Sequence, residues 1–460
     1  MDQNAVLDRE RGLSQGLTKA QITMIGLGGA IGTGLFMGSG IAIGYAGPAV
    51  LISYLIAAFV AVVMVFSLSE MAVVHPTAGS FGSYAEIYLG PWAGFVTRYT
   101  YWITQVVAVG GEAVAAGLYM AYWFPGPPVW MWSLAFVAIL VYVNCRSVTN
   151  FGSFEYWFAL IKVTAIVAFI LFGAVHVFGI GSRAIGLHNL TGLPGGFLPH
   201  GFGGVWMAVL MAIFSFYGIE VIAVTSGEAA NPRESIPRAL RSMVFRLFIF
   251  YIGALTIMLA FVPWTQTGAK IVAESPFVKL FAYVGVPYAA GIMNFVVLTA
   301  ALSSMNTNLY LTSRMLFSLG RGNYAPAILG RLGRNHTPLA GVLVSGVGIL
   351  LVASVSAFTP KAYNYLFGIA LFGGLSVWII ILLSHFRFRQ RYRADQLPVR
   401  MPFFPLVQIA GLLLLVAILI TMGLDTEFWD VSWIVGVPWF VLITLFYYLW
   451  RRRPKLEAAV

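Results

Sequence analysis

Residues 26–40 read GLGGAIGTGLFMGSG, seven glycines in fifteen residues with no charge among them. One reading is a close-contact face, since glycine lets membrane helices approach. Seven glycines exceed what one such face needs. The other reading is a helix that unwinds near mid-membrane and offers bare backbone to a ligand. A second stretch, Ile213–Pro232, reads IFSFYGIEVIAVTSGEAANP and sets Gly218 beside Phe214, Ser215, Phe216 and Tyr217. Aromatic residues in a span commonly serve packing or the interface belt. Here they flank a glycine in the sixth apolar segment, the partner of the first in a 5+5 repeat. Interrupted segments at matching places in two halves point to a transporter site. Half-helix N-termini hold carboxylates and C-termini hold ammoniums, which suits a zwitterion.

The rest of the chain supplies the setting. Of 460 residues, 60% are hydrophobic and 9% charged, and the mean hydropathy is +0.86. A soluble domain carries roughly 25% charge, so the solvent is lipid. A spanning helix needs about 20 apolar residues. Segments of that kind lie at 20–44, 48–74, 91–123, 129–147, 151–178, 203–227, 240–263, 288–316, 338–357, 364–386, 403–424 and 431–450. Spans this long are helices, because lipid leaves no other way to satisfy the backbone. Short surface helices are expected at 79–89 and 275–285. A polar tail of 19 residues precedes the first span, and no cleavable signal core is expected. The expected organisation is a tail at 1–19, a transport core of helices 1–10 at 20–400, and helices 11–12 with a second tail at 401–460.

The chain holds 27 Lys+Arg against 16 Asp+Glu, a net charge of +11. With both termini cytoplasmic, twenty of the basic residues fall in inner loops and tails. Arg183, Lys270, Lys279 and Lys361 fall outside, and Arg98, Lys162 and Arg246 fall within spans. That asymmetry follows the positive-inside rule and accounts for the basic charge without nucleic acid. It predicts a multi-pass protein of a bacterial-type inner membrane. Cys145 is the lone cysteine, so neither an internal disulfide nor a cysteine metal site is expected. The six histidines show no ligand spacing, and no metal or cofactor is expected. No Walker, zincin or hydrolase-elbow motif is present.

Charges inside a membrane ask for a partner or a role. Lys162 lies near the middle of helix 5. It is either a structural lysine paired to a carboxylate or to carbonyls, or a proton-coupling group whose charge burial disfavours. Glu112 in helix 3 is either a helix-contact hydrogen bonder or a pocket residue meeting a substrate ammonium. Glu220 is either structural or a gate and proton-linked carboxylate two residues past the helix 6 break. Glu70, Glu155 and Glu228 read as structural groups near cytoplasmic helix ends, with Glu228 pairing to a loop arginine. Arg98 reads as snorkelling to the interface.

Several segments carry a resemblance: GLGGAIGTGLFMGSG (26–40), AGP (46–48), SEMAVVHPTAGSF (69–81), FGSFEYWFALIKV (151–163), GGFLPHGFGG (195–204), FSFYGIEVIAVTSGEAANP (214–232), SIPRA (235–239) and SRMLFSLGRGNYAP (313–326). Together they resemble the amino acid permeases of the amino acid–polyamine–organocation superfamily. The nearest branch is the one with aromatic amino acid and γ-aminobutyrate permeases. The resemblance implies an all-α integral membrane protein of the LeuT-type fold. It would have twelve transmembrane helices, a 5+5 inverted repeat and discontinuous helices 1 and 6. It implies carboxylate-binding backbone at Ile31, Gly32, Thr33 and Gly34, with Ala30 beside it, an aromatic cover at Phe214, and an unwound segment from Ser215 through Phe216 and Tyr217 to Gly218. It places the Lys162 ammonium where sodium-coupled relatives hold an ion.

The expected function is a proton-coupled symporter importing a neutral amino acid, with Lys162 and Glu220 in proton coupling. An exchanger, or an importer of a cationic amino acid or γ-aminobutyrate, is the alternative. A channel would show symmetric pore rings, a nutrient sensor a long signalling tail, and a membrane enzyme a cluster of His, Asp or Glu at one face. The partners expected are an amino acid, protons and the lipid bilayer, with no nucleic acid, and the oligomeric state stays open, a monomer being one option.

Overall fold

In a computed structural model, the chain folds as the sequence predicts: all-α, with broken helices 1 and 6. The structure describes residues 3–451 apart from 147, 181–183, 230, 268–274, 279, 281–287, 360–361, 394, 396 and 425–429. The positions of Arg183, Lys270, Lys279 and Lys361, and most of the expected helix at 275–285, lie outside the described residues.

Span 1 is split into Lys19–Ala30 and Ser39–Ala46, joined through a π-helical turn at Gly34–Gly38. Spans 2 to 5 are Val50–Val74, Pro91–Ala121, Val129–Asn144 and Val148–Val177. Span 6 is split into Gly201–Phe214 and Val221–Thr225. Spans 7 to 12 are Pro232–Phe261, Ala289–Arg321, Leu339–Ser354, Ala362–Arg391, Leu406–Leu424 and Asp430–Arg451. Among the described residues, nine helical stretches are long and apolar enough to cross a bilayer, Lys19–Val74 holding two spans, and Val129–Asn144 and Gly201–Phe214 are shorter apolar helices. Spans 1–5 and 6–10 form the inverted repeats of the LeuT-type fold, each opening on its broken member.

Local chemistry sets the starts. Thr18 and Gln21 form a reciprocal capping box ahead of span 1. Pro48, Pro91 and Pro232 sit at first-turn positions, where the missing N–H costs nothing. Span 7 begins eight residues earlier than 240, because that proline start outweighs the polar composition of its first turns. Span 8 likewise runs past 316 to Arg321, and Arg314 is buried within it. Span 3 is innermost: 83% of its apolar window is buried, against 22% for span 12 at the rim.

Two expectations at the face bearing the N-terminal tail are corrected. The helix Ser80–Leu89 is not a surface helix; every residue but Leu89 is buried beneath the bundle. Arg98 does not snorkel. Its side chain is fully buried, 2.9 Å from Glu86 and 3.4 Å from Glu10, and its Nε donates to Ser318 at 2.6 Å. Glu10 comes from the tail itself. It accepts from the Gly79 N–H at 2.6 Å, from Ser83 at 2.9 Å, and from Thr77 and Ser318. Arg9 and Tyr324 complete the cluster on Glu86. Snorkelling presumes water at the helix end; here the tail and the loop helix occupy that place.

Burial raises the Glu10 and Glu86 carboxyls, but Arg98, Arg9 and the hydroxyl donors outweigh it and hold both below the ordinary value of 4.5. A depressed carboxyl stabilises the fold above its unfolded value and loses that contribution as pH falls through its folded value. Limited proteolysis of the tail at Arg11 should therefore be slow at pH 7 and accelerate below about pH 4. Unchanged cleavage across that range would contradict the reading. Arg98→Ala leaves two buried carboxylates short of their cation, which should cost about 3–5 kcal/mol. Thermal unfolding in detergent measures it.

Candidate functional site

The two broken spans meet in the middle of the bundle. The first half of span 1 ends at Ala30, and Ile31 leaves helical geometry at φ −95°, ψ 85°. In span 6 the chain turns through Ser215–Glu220, with Gly218 at φ +96°, a conformation side chains resist. Glycine is needed there a second way: a Cβ on Gly218 would lie 2.2 Å from the Gly29 carbonyl oxygen. A Cβ on Gly34 would lie 2.7 Å from the Ser215 Cα. The glycines thus let two backbones touch.

Breaking a helix in lipid frees carbonyls that need donors. Lys162 supplies them from span 5: its Nζ donates to the Ile31 carbonyl at 2.8 Å and to that of Gly28. Tyr251 of span 7 adds one more hydrogen. Its hydroxyl lies 2.7 Å from the Ala30 carbonyl and also against that of Ser215, joining the two breaks. Tyr54 of span 2 bonds the Ser215 hydroxyl at 3.0 Å. Glu220 turns back to accept from the Gly218 N–H at 3.2 Å and from Tyr101 at 3.0 Å.

A small cavity opens between the breaks, lined by Gly29, Ala30, Gly32, Gly34, Gln105, Ala108, Glu112, Phe214, Ser215, Tyr217, Ser304 and Asn308. A second pocket shares Glu112 and Phe214 and adds Thr33, Tyr363 and Phe367. The Phe214 ring packs 4.0 Å from Phe367 and 5.4 Å from Tyr217. Glu112 is the only charged residue lining either cavity among the described residues. Its Oε2, the Thr33 hydroxyl and the Asn308 Oδ1 are buried without a hydrogen-bond partner among the described residues. Buried polar atoms are nearly always paired, so this cluster fits a polar guest.

Of the residues singled out from sequence, Ala30, Gly32, Thr33, Gly34, Glu112, Phe214, Ser215 and Tyr217 converge on the cavities. Ile31 faces Lys162 through its carbonyl, and Gly218 packs on Gly29. Phe216 departs: its ring packs edge-on against Tyr251, lies near Tyr54 and borders an apolar groove with spans 2 and 7. A turn of backbone separates it from its neighbours and sends it away. Glu220 sits behind the break, off the cavity wall. Glu228 pairs with Arg314 at 2.8 Å inside span 8, not with a loop arginine.

The sequence reading passed over Gln105, Ser304, Asn308, Tyr363 and Phe367. One signal was available: Ser303–Asn308 reads SSMNTN in the middle of span 8 and is buried throughout. Polar residues at that depth are functional candidates by default. The span 10 aromatics carry no such mark.

A multi-pass membrane protein with a cavity between paired helix breaks is the class this geometry defines. The sequence profile of the amino acid permease family matches residues 21–460. Among curated proteins, the chain is 40% identical to the uncharacterized amino acid permease YtnA of Bacillus subtilis, over 95% of each chain. It is 38% identical to the γ-aminobutyric acid permease of the same organism, over 98% of this chain and 96% of that one. It is 38% identical to the aromatic amino acid transport protein AroP of Salmonella typhimurium, over 97% and 98%. The chain belongs to the amino acid permease family. It is a multi-pass membrane transporter of amino acids.

Two glycines give a paired test. Gly34→Ala pushes the breaks apart, whereas a Cβ on Gly38 meets nothing within 4 Å. Uptake of a radiolabelled amino acid mixture into vesicles should fall at least about ten-fold for Gly34→Ala, a loss of about 1.4 kcal/mol. It should hold for Gly38→Ala at equal membrane expression.

Proposed function

We propose that this permease is a proton-coupled symporter that imports a neutral amino acid across the inner membrane, with both termini in the cytoplasm. The observation that carries the coupling is the Lys162 ammonium, buried and bonded to the Gly28 and Ile31 carbonyls under the span 1 break. A cation at that position supports the opened backbone beside the cavity. Removing its proton leaves an uncharged amine whose bonds to those carbonyls lose their charge assistance, so protonation and the shape of the site are linked.

The substrate class follows from the cavity's charges. A zwitterion's carboxylate finds the backbone N–H groups where span 1 enters its π-helical turn at Gly34. Its ammonium finds the unpartnered Glu112 Oε2. A side-chain charge would have no counter-charge among the described lining residues, and an unpaired charge there is costly. A neutral side chain is therefore the best fit, covered by Phe214, Phe367 and Tyr217. The printed substrates of the relatives, aromatic amino acids and γ-aminobutyrate among them, form the first panel.

The orientation rests on the basic residues gathered at the tail face. Reconstituted protein in sodium-free proteoliposomes, given a pH gradient and L-phenylalanine, L-threonine or γ-aminobutyrate, tests the mechanism. Accumulation should follow the gradient and collapse with a protonophore. With a gradient of one pH unit and one proton per substrate the drive is at most about ten-fold, and Lys162→Ala should lose nearly all of it. Accumulation that ignores the gradient, or full retention in Lys162→Ala, would sink the proposal.

A further inference from the structure

The buried carboxylates divide into two sets. Glu10, Glu70, Glu86 and Glu228 each lie within 4 Å of a guanidinium. Glu112, Glu155 and Glu220 have no such partner among the described residues. Glu112 faces the cavity and Glu220 caps the span 6 break. Glu155 is left without an assigned task.

Glu155 is fully buried on span 5, seven residues before Lys162. Seven residues are close to two helical turns, so both project from one face. Both converge on Gly28. Lys162 donates to its carbonyl, and a Cβ there would lie 2.1 Å from Glu155 Oε1. Yet Glu155 and Lys162 form no contact ion pair. Glu155 accepts instead from Ser303, and from Asn306 Nδ2 at 3.2 Å. Asn306 in turn accepts from Asn144 Nδ2 at 2.7 Å. Asn144 is the last residue of span 4, at the tail face. A polar line thus runs from under the span 1 break to the end of the bundle.

The groups bearing on this pair are few. Span 1 presents only backbone, span 8 presents Ser303, Asn306 and Thr307, and span 4 presents Asn144. Span 7 brings Tyr251 to the far side of the break, and Glu112 of span 3 lies beyond Lys162.

We propose that Glu155 is the proton acceptor of Lys162 on the cytoplasmic side, with Asn306 and Asn144 lining the exit. This rests on the proton-coupled reading above. The step balances: a proton leaves the Lys162 ammonium for the Glu155 carboxylate, giving a neutral amine and a neutral acid. The acid then gives that proton to water entering along Asn144. Two separated charges in a low-dielectric interior become none, while the Gly28 and Ile31 carbonyls lose their charged donor.

The test uses reconstituted full-length protein and whichever of L-phenylalanine, L-threonine and γ-aminobutyrate the wild type carries. Glu155→Gln keeps the shape and the Asn306 contact but takes no proton. Its gradient-driven accumulation should fall at least about five-fold further than its exchange of labelled for unlabelled substrate, which needs no net proton movement. Asn144→Ala is the second variant, for use if the first does not fold, and should show the same split more weakly. Equal losses in both assays, or wild-type accumulation in both variants, would overturn the assignment. Gradient-insensitive accumulation by the wild type would overturn the coupling itself, and this proposal with it.

Discussion

An opened backbone in the middle of a membrane must find donors and acceptors within the protein. Here the main one is the Lys162 ammonium against the carbonyls of Gly28 and Ile31. Without it the break in span 1 would leave carbonyl oxygens facing a hydrocarbon interior, at several kcal/mol each. Tyr251 and Glu220 do the same work for span 6. The cavity exists because these three side chains make the breaks tolerable, and the glycines let them lie against each other.

The charges are sorted by depth. At the tail face, guanidinium–carboxylate contacts join the tail, the Ser80–Leu89 helix and spans 2, 3, 8 and 10. Buried pairs of this kind add little net stability, but losing one partner is costly. They fix the arrangement of elements rather than deepen the fold. Around the helix breaks, carboxylates face neutral donors, and the single lysine faces carbonyls. No contact ion pair ties those groups down among the described residues.

Much of this was legible in the chain. Hydropathy located the spans, and the glycine run at 26–40 with Gly218 marked both breaks, because only glycine admits backbone contact at those places. Lys162 and Glu112 stood out because charge at that depth is rare. Less visible were groups whose role is set by distant partners. Arg98 meets Glu10 across 88 residues, and nothing local signals it. Tyr251 is one aromatic in an apolar span, and its value lies in two carbonyls from other helices. Phe216 was misplaced because a turn changes facing within one residue. Glu155 looked peripheral by sequence distance from the span's start, yet its side chain reaches under Gly28.

Tyr251 carries a last implication. A phenol owns one hydrogen, while two carbonyls, one from each repeat, compete for it. Whichever is refused sits beside an oxygen lone pair, so the hinge is held together and slightly at odds with itself. The clasp between the halves thus turns on the placing of a single hydrogen.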